Sequence, residues 1–536
     1  MTSGTRAAAA GYWRPGPAAT AATARGGVYD IRKSVVIVAG DGIDAVTGGD
    51  FTADRDDDAC CEVVGLLPAT PPELLGHSSF RAAHGVELAY VAGEMANGIA
   101  TTAMVAAMAR AGMLGFFGAA GLEPAAVRRA VRELTAALGE DRSWGASLIH
   151  SPNHPRLERD ITGLYLREQV RRVCASAFMD LTSNVVRYAA SGLHVDRAGR
   201  IVRPNHLFAK VSRPEVARHF MAPAPDGVLS GLVAENLLTA REAELARRVP
   251  IAADITVEAD SGGHTDNGSL MVLIPAMTAQ RDDAVVEHGY PDRIRIGAAG
   301  GLGTPESIAA AFALGADYVL TGSVNQSAVE SGLSDEAKTM LATADLADVA
   351  MAPAGDMLEL GAQVQVLRRG TMFAVRATRL AELYRTHAAL EELPKPVVAK
   401  LERDVFRAPL HEIWHTVQQY WTVRDPSQLV RAEQDPRHRM ALMFRWYLGN
   451  ATRWAITGDP DRRTDYQVWC GPAMGAFNRW AAGTFLAALP NRHVAQIALN
   501  LMEGAAVATR RSQLRTHGVD VSGRAARFVP HPFAVR

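Results

Sequence analysis

The sequence predicts an α/β protein: a (β/α)8 barrel of the TIM type followed by a mainly helical C-terminal domain. Three observations point there. From about residue 86 short apolar runs alternate with longer helical patterns, the arrangement of βα units that feed a parallel sheet. About eight such runs fit into roughly 240 residues, which suits a closed barrel better than an open sheet. Glycine-rich stretches end the last two runs, where barrels of this kind commonly hold phosphate.

In chain order, ELAYVAGEM reads as the first strand, ATTAMVAAMARAG as a helix ending at Gly112, and MLGFFGAA as the second strand. EPAAVRRAVRELTAALG is an amphipathic helix with an acid at its start and Gly139 at its end. WGASLIHS is the third strand, and Pro155 to Val170 supplies its helix. VCASAFM, a run ending in HLFAKVS, and PIAADITVEA follow as strands, with SRPEVARHFM helical between the last two. RIRIGAAGG, the helical TPESIAAAFALG and ADYVLTGSV close the pattern.

After Asn325 long helical patterns take over, ending in the aromatic-rich MFRWYLGNATRWAI and GAFNRWAAGTFLAAL. The expected organisation is a disordered tail over 1–27, an N-terminal extension over 28–85 and the barrel over 86–330. A mainly helical domain facing substrate or carrier then spans 331–520, and a tail covers 521–536.

A chain of 536 residues exceeds one ordinary core, and 48% hydrophobic with 21% charged residues is a globular composition. The formal net charge of -1 gives no whole-chain attraction to nucleic acid or to an anionic membrane, so neither is an expected partner. The longest apolar stretch contains Glu94, Arg110 and several glycines, and it reads as buried strand, helix and strand rather than a membrane span. Four cysteines without a CxxC pair point to a reducing cytoplasm. Cys60 and Cys61 beside DRDDD read as a solvated loop, and no metal site is expected. VVIVAGDGIDAVTGG carries a GxGxxA pattern at Gly40, Gly42 and Ala45, but TGGDFTADRDDD stands where the crossover helix of a dinucleotide fold must be.

The candidate site is read at the strand ends. Ala299, Gly300 and Gly301, with Gly303 just beyond, precede a helix start, and Thr321, Gly322 and Ser323 end the eighth strand. Exposed backbone N–H groups and a helix N-terminus attract a phosphate without any lysine, and a mononucleotide such as FMN is the economical occupant. Met95, Ala96, Asn97 and Gly98 offer a slim backbone for a planar ring, with a helix N-cap at Asn97 as the alternative. EADSGGHTDN places Gly262, Gly263 and His264 at the end of the sixth strand, where a group titrating near neutrality suits proton donation. Asp260, Asp266 and Asn267 either orient this histidine or serve the turn. Lys210 ends the fifth strand, facing the ring, a carboxylate or solvent.

With these pieces placed, the chain resembles the PfaD family of flavin-dependent enoyl reductases, which act in trans on polyunsaturated fatty acid and polyketide synthases. The resemblance runs over roughly residues 74–520. It is carried by YVAGEMANGIA, AGMLGFFGAAGL, LIHSP, ASAFMDLT, EADSGGHTDN, GAAGGLGTPESI, MAPAGDMLELGAQVQVLRRGTMF and DYQVWCGPAMGAFNRW, the last two being the most specific. It implies FMN, with NADPH or NADH as reductant, and an enoyl thioester on acyl carrier protein domains as substrate. It puts the isoalloxazine near Met95 to Gly98 and the phosphate at Gly300, Gly301, Gly322 and Ser323, with Gly262 and Gly263 letting the backbone approach the cofactor and His264 at the reacting face.

Two positions depart from the family pattern. Ser147 replaces an asparagine expected close to the flavin, and Glu94 stands where a small residue is usual. MANG, SGGH, AGG and TGS also resemble nitronate monooxygenases, which leaves an oxygen-using flavoenzyme as the alternative function, beside a non-catalytic assembly subunit. Arg437, His438 and Arg439 in DPRHRM read as a contact for an acidic carrier or as an ordinary charged helix start, and a homo-oligomer is left open.

Overall fold

The computed structural model describes residues 11–15, 28–40, 42–55, 58, 60–139, 143–151, 155–521 and 527–534. Eight parallel strands close into a barrel: β1 Tyr90–Ala92, β2 Leu114–Phe117, β3 Gly145–Ile149, β4 Arg172–Ser176, β5 His206–Val211, β6 Asp254–Glu258, β7 Arg295–Ala299 and β8 Tyr318–Thr321. Closure comes from β8 pairing with β1, Val319 opposite Tyr90. Each strand lies within the apolar run that predicts it, except that β4 starts one residue earlier, at Arg172. Helices Thr102–Arg110, Pro124–Leu138, Pro155–Arg167, Ser183–Ala190, Pro214–Met221, Leu270–His288 and Pro305–Ala313 follow successive strands around the outside.

Packed side chains fill the barrel, as close packing requires. Phe80, Phe116, Phe208 and Tyr318 are fully buried inside, and Phe80 from helix Ser78–His84 stacks on Tyr318 at 4.4 Å. At the N-terminal end the floor is polar. Asp254 takes Nε and Nη2 of Arg295 at 2.6 and 2.7 Å, and its Oδ2 lies 3.2 Å from Nε2 of His84. Burial pushes the Asp254 carboxyl up, but Arg295 and then His84 outweigh it and hold it far below the usual carboxylate range. His84, His206 and Asp254 could in principle hold a metal ion. However, Asp254 is already saturated by Arg295, and Arg172 Nε donates to Nδ1 of His84, so a cation would enter a site that carries guanidinium groups.

Four features differ from the sequence expectations. Tyr12–Arg14, read as part of a disordered tail, forms a strand in a five-stranded sheet with Asp50–Thr52, Cys61–Leu67, Val35–Ala39 and Ile43–Val46. The recorded pairings there are antiparallel, so the GxGxxA stretch is the turn of a hairpin, and Cys60 and Cys61, read as a solvated loop, are a buried residue and the start of a strand. Helix Val494–Thr516, expected in the substrate-facing domain, instead packs against helices Pro305–Ala313 and Thr102–Arg110 and completes the outer ring. Gly504 allows this, because a Cβ there would lie 2.5 Å from Cγ of Pro305. The segment read as a C-terminal tail also returns to this helix, where Gln496 and Asn500 bond the backbone of Phe533 and His531.

Above the barrel mouth lies a three-stranded antiparallel sheet of Gly263–His264, Gln363–Leu367 and Val349–Pro353. Helices Phe373–Thr386, Leu410–Arg424, Ser427–Gln434 and Pro436–Thr457 pack around a separate apolar core that includes Phe373, Leu380, Phe406, Phe444 and Tyr447. Among the described residues no helix is long and apolar enough to cross a membrane.

Candidate active site

A cavity of about 1070 Å³ opens between the C-terminal ends of the strands and this roof. Its floor is charged. Lys210 from β5 places Nζ 3.0 Å from Oε1 of Glu94 and 3.1 Å from Oε1 of Glu258, and Ser176 donates to Oε1 of Glu94 at 2.7 Å. Burial pulls the Lys210 pKa down, but Glu258 and Glu94 outweigh it and the net shift is upward. The floor therefore holds one ammonium shared by two carboxylates, and Glu94 is compensated rather than left as a bare charge.

The glycines divide into two kinds. A Cβ on Gly301 or Gly322 would meet nothing within 4 Å, so at both positions the backbone is open on the cavity side. Gly300 (φ +88°) is required instead by the neighbouring strand end, since its Cβ would lie 2.7 Å from the carbonyl carbon of Ala259. At Gly262, expected from sequence to let the backbone approach a cofactor, the close neighbour is another part of the chain. A Cβ there would lie 2.8–3.0 Å from the backbone of Cys470, so Gly262 lets the distant segment around Trp469 cross the loop. Gly303 serves the same crossing further on, where a Cβ would run into the carbonyl oxygen of Ala473.

That crossing segment, DYQVWCGPAMG, is part of the wall. Leu367 N donates to the carbonyl of Val468, Cys470 N to that of Gln365, and Gly471 N to Oγ of Ser323 at 3.1 Å. Gln326 donates to the carbonyl of Trp469. The Gln467 amide, oriented to satisfy both ends, accepts from Nε1 of Trp469 and donates to Oγ1 of Thr452, at 3.0 and 3.1 Å.

His264 stands on the roof strand Gly263–His264, a segment expected to be a loop at the barrel rim. Gly263 at φ +86° makes the bend, and His264 pairs with Val364. Its Nε2 lies 3.3 Å from Oδ1 of Asp356. Burial lowers the His264 pKa, but the hydrogen bond and charge of Asp356 more than offset it, and the net shift is upward from the ordinary value. Asp260 bonds Asn267 and Gln365, while Asp266 bonds Ser212 and Arg213, so these residues tie down the loop.

Met95, Ala96 and Asn97 line the cavity, together with Ser147, Lys210, Gly262, Gly263, His264, Ala299, Gly300, Gly301, Thr321, Gly322 and Ser323. Gly98 turns aside, its carbonyl oxygen 2.6 Å from where a Cβ of Gly332 would be. Asn97 sits at φ +58° in the turn, while Thr101 caps the following helix. Oγ of Ser147 accepts from the N–H groups of Ala119 and Ala120 at 3.0 and 3.2 Å, so the serine braces the neighbouring loop. The Thr321 hydroxyl is bonded to Tyr90 and Asn325 rather than turned to the cavity. Arg437, His438 and Arg439 are engaged in packing: Arg437 stacks on Tyr384, Arg439 on Trp414, and His438 is buried against Gln428.

Glu258, Asp356, Gln467 and Trp469 escaped sequence reasoning as site residues. Asp356, Gln467 and Trp469 lie inside the two most specific sequence motifs and Glu258 opens EADSGGHTDN, but their convergence joins segments roughly 100 to 200 residues apart, which no local pattern reports.

A closed parallel barrel with open glycine backbone at the last two strand ends, a lysine shared by two carboxylates and a roof-mounted histidine defines a (β/α)8-barrel protein with its cavity at the C-terminal strand ends. Its relatives give the family. The enoyl reductase domain of MlnA, from the macrolactin biosynthesis cluster of Bacillus amyloliquefaciens, superposes with a TM-score of 0.80 at 37% identity, covering 83% of this chain and 100% of that one. Polyketide biosynthesis protein PksE of Bacillus subtilis is 45% identical over 435 residues, 81% of this chain and 56% of the relative. Polyketide biosynthesis protein ThaF of Burkholderia thailandensis is 46% identical over 82% of this chain and 38% of its own length. A component of the polyunsaturated fatty acid synthase of Thraustochytrium sp. is 43% identical over 85% of this chain and 31% of its own. The match thus spans about half or less of these curated relatives. Two short family signatures also match: acyl-carrier-protein S-malonyltransferase, inserted helical domain, over residues 387–466, and conserved region in glutamate synthase, over residues 267–331. The chain belongs to the PfaD-like enoyl reductase family of polyketide and polyunsaturated fatty acid synthases.

Proposed function

We propose that the protein is an FMN-dependent enoyl reductase that uses NADPH or NADH to saturate the α,β double bond of an enoyl thioester on an acyl carrier protein, acting in trans. The observation that carries this reading is the convergence, in one cavity, of an open anion cradle at Gly301, Gly322 and Ser323 with His264 on the opposing roof. The residues fit FMN. Gly301 and Gly322 leave room for a phosphate against the backbone, beside the start of helix Pro305–Ala313. Ser323, accepting from Gly471, has its own hydroxyl hydrogen free to donate. Met95 and Ala96 would border the ring, with Lys210 and its carboxylates beneath.

When bound, FMN supplies hydride transfer from the nicotinamide to the β-carbon of the substrate. The protein's part is the proton and the geometry. Asp356 as acceptor fixes the hydrogen of His264 on Nε2, leaving Nδ1 as the ring atom that passes a proton to the α-carbon. The raised pKa keeps His264 protonated further toward neutrality than a free imidazole, which suits general acid help worth about 10²–10⁴-fold. Trp469 walls the side next to Gly263.

The test is isotopic. Turnover of an enoyl thioester on a carrier with reduced nicotinamide in heavy water is expected to place a solvent deuterium on the α-carbon and to consume one nicotinamide per saturated product. Saturated product without deuterium on the α-carbon, or no saturated product, overturns the assignment.

A further inference from the structure

Helix Pro436–Thr457 lines one side of the cavity with Leu448, Gly449 and Thr452. A glycine in a helix interior gives up stability relative to alanine, because it loses more conformational freedom on folding. Gly262, Gly303 and Gly355 are forced by close approach of a neighbouring segment, and Gly263 and Gly301 by positive φ. Gly449 is forced by neither: its backbone is helical, and a Cβ there would meet nothing within 4 Å.

The surroundings frame the gap. Arg445, one turn earlier on the same helix face, pairs with Glu359 at 3.3 Å and ties the helix to the turn Leu358–Leu360. Next to Gly449, Leu448 is approached so closely by Gly355 that a Cβ on Gly355 would lie 2.8 Å from its own Cβ. The same hairpin turn contributes Met357, Leu360 and Gly361 to the cavity lining, and Leu360 is left 73% exposed. A large apolar side chain uncovered beside an unfilled gap in a cavity wall is surface that a ligand can cover. Between Asp356 and Thr452, which also line the cavity, this stretch of wall presents Gly449, Leu448, Met357, Leu360 and Gly361, none of which carries a hydroxyl, amide or charged side chain. The amide-bearing arm of a carrier would lose hydrogen bonds against such a surface, whereas a hydrocarbon would not.

We propose that the gap at Gly449 receives the distal hydrocarbon of the acyl substrate, making Gly449 a residue that sets the acceptable chain length. This rests on the enoyl reductase reading. It assigns to helix Pro436–Thr457 a role in substrate selection that the helix otherwise gives no reason to keep a glycine for.

The test compares wild-type holoenzyme with Gly449→Ala and Gly449→Phe on a series of enoyl pantetheine thioesters from four to twelve carbons. Flavin stoichiometry serves as the folding control, and the thermal midpoint of Gly449→Ala is expected to rise. The ratio of kcat/KM for the longest to the shortest substrate is expected to fall by about tenfold or more in Gly449→Phe, and less in Gly449→Ala, as filling an apolar pocket does. An unchanged ratio, or an equal loss at every length, overturns the proposal; the equal loss would mean that the gap serves the common arm. If the wild type itself reduces no enoyl thioester, it is the enoyl reductase reading that fails. Should Gly449→Phe not retain flavin, Gly449→Leu takes its place in the same comparison.

Discussion

Replacing Lys210 by methionine removes the ammonium that Glu94 and Glu258 share on the cavity floor. Its ammonium lies 3.0 Å from Glu94 and 3.1 Å from Glu258, and at an effective dielectric near 20 each contact is worth on the order of 5 kcal/mol of Coulomb attraction before desolvation. Desolvation of the ammonium and repulsion between the two carboxylates offset much of this. The Glu94 side chain is 7% exposed and Glu258 19%, so loss of their common partner leaves charge with poor access to water. Breaking such a buried pair typically costs about 3–5 kcal/mol. Lys210→Met is therefore expected to lose about that much in a urea titration followed by far-UV circular dichroism. Lys210→Met/Glu94→Ala is expected to recover at least about 1 kcal/mol of it, since one stranded carboxylate is gone. A single variant within about 1 kcal/mol of wild type, or a double variant no better than the single, would refute the view that these carboxylates depend on Lys210.

Three further outcomes are expected. Asp254→Ala should destabilise the barrel by about 3–5 kcal/mol, because Arg295 is left buried without its carboxylate; in the wild type, the contribution of the depressed Asp254 pKa is present above the ordinary carboxylate value and is lost as pH falls toward the folded one, so the stability gap between wild type and variant should narrow as pH falls below the ordinary carboxylate value. Gly262→Ala should cost about 1–3 kcal/mol by overpacking against the Cys470 backbone, which cannot move aside as a side-chain end does, and flavin affinity should fall with it. In Asp356→Asn the alkaline limb of the pH–rate profile should move to lower pH, because the upward shift of His264 comes from Asp356; the stabilisation linked to that shift is full below the unfolded histidine value and fades as pH rises through the folded one, so the variant should differ most from wild type on the acid side.

How much of this was legible in sequence follows from the range of the interactions. The eight barrel strands were readable because each is a short apolar run bounded by a helix with its own start and stop signals, such as the acid-led helix Pro124–Leu138 closed by Gly139. The cradle glycines 301 and 322 were readable because backbone freedom at a strand end is a local property. Gly262 was misread because what it accommodates, Cys470, arrives from more than 200 residues away. The roof strand at His264 is two residues long, too short for an alternating pattern, and it exists through pairing with Gln363–Leu367. The N-terminal sheet was hidden for a similar reason: Tyr12–Arg14 is three residues among alanines, prolines and glycines, and it is a strand because Asp50–Thr52 and Cys61–Glu62 lie on either side of it. Helix Val494–Thr516 fell inside the span read as mainly helical but could not be read as the barrel's own, since its apolar stripe does not name the surface it covers.

The most direct measurement is anaerobic and needs the purified protein reconstituted with FMN. Reduced nicotinamide is added first, then an enoyl thioester on a carrier protein, while the visible flavin absorbance is followed. Bleaching by the nicotinamide and recovery on adding the enoyl thioester, with the recovery slowed in His264→Gln, is the expected result. Recovery with oxygen alone, or a protein that holds no flavin, would contradict the enoyl reductase assignment.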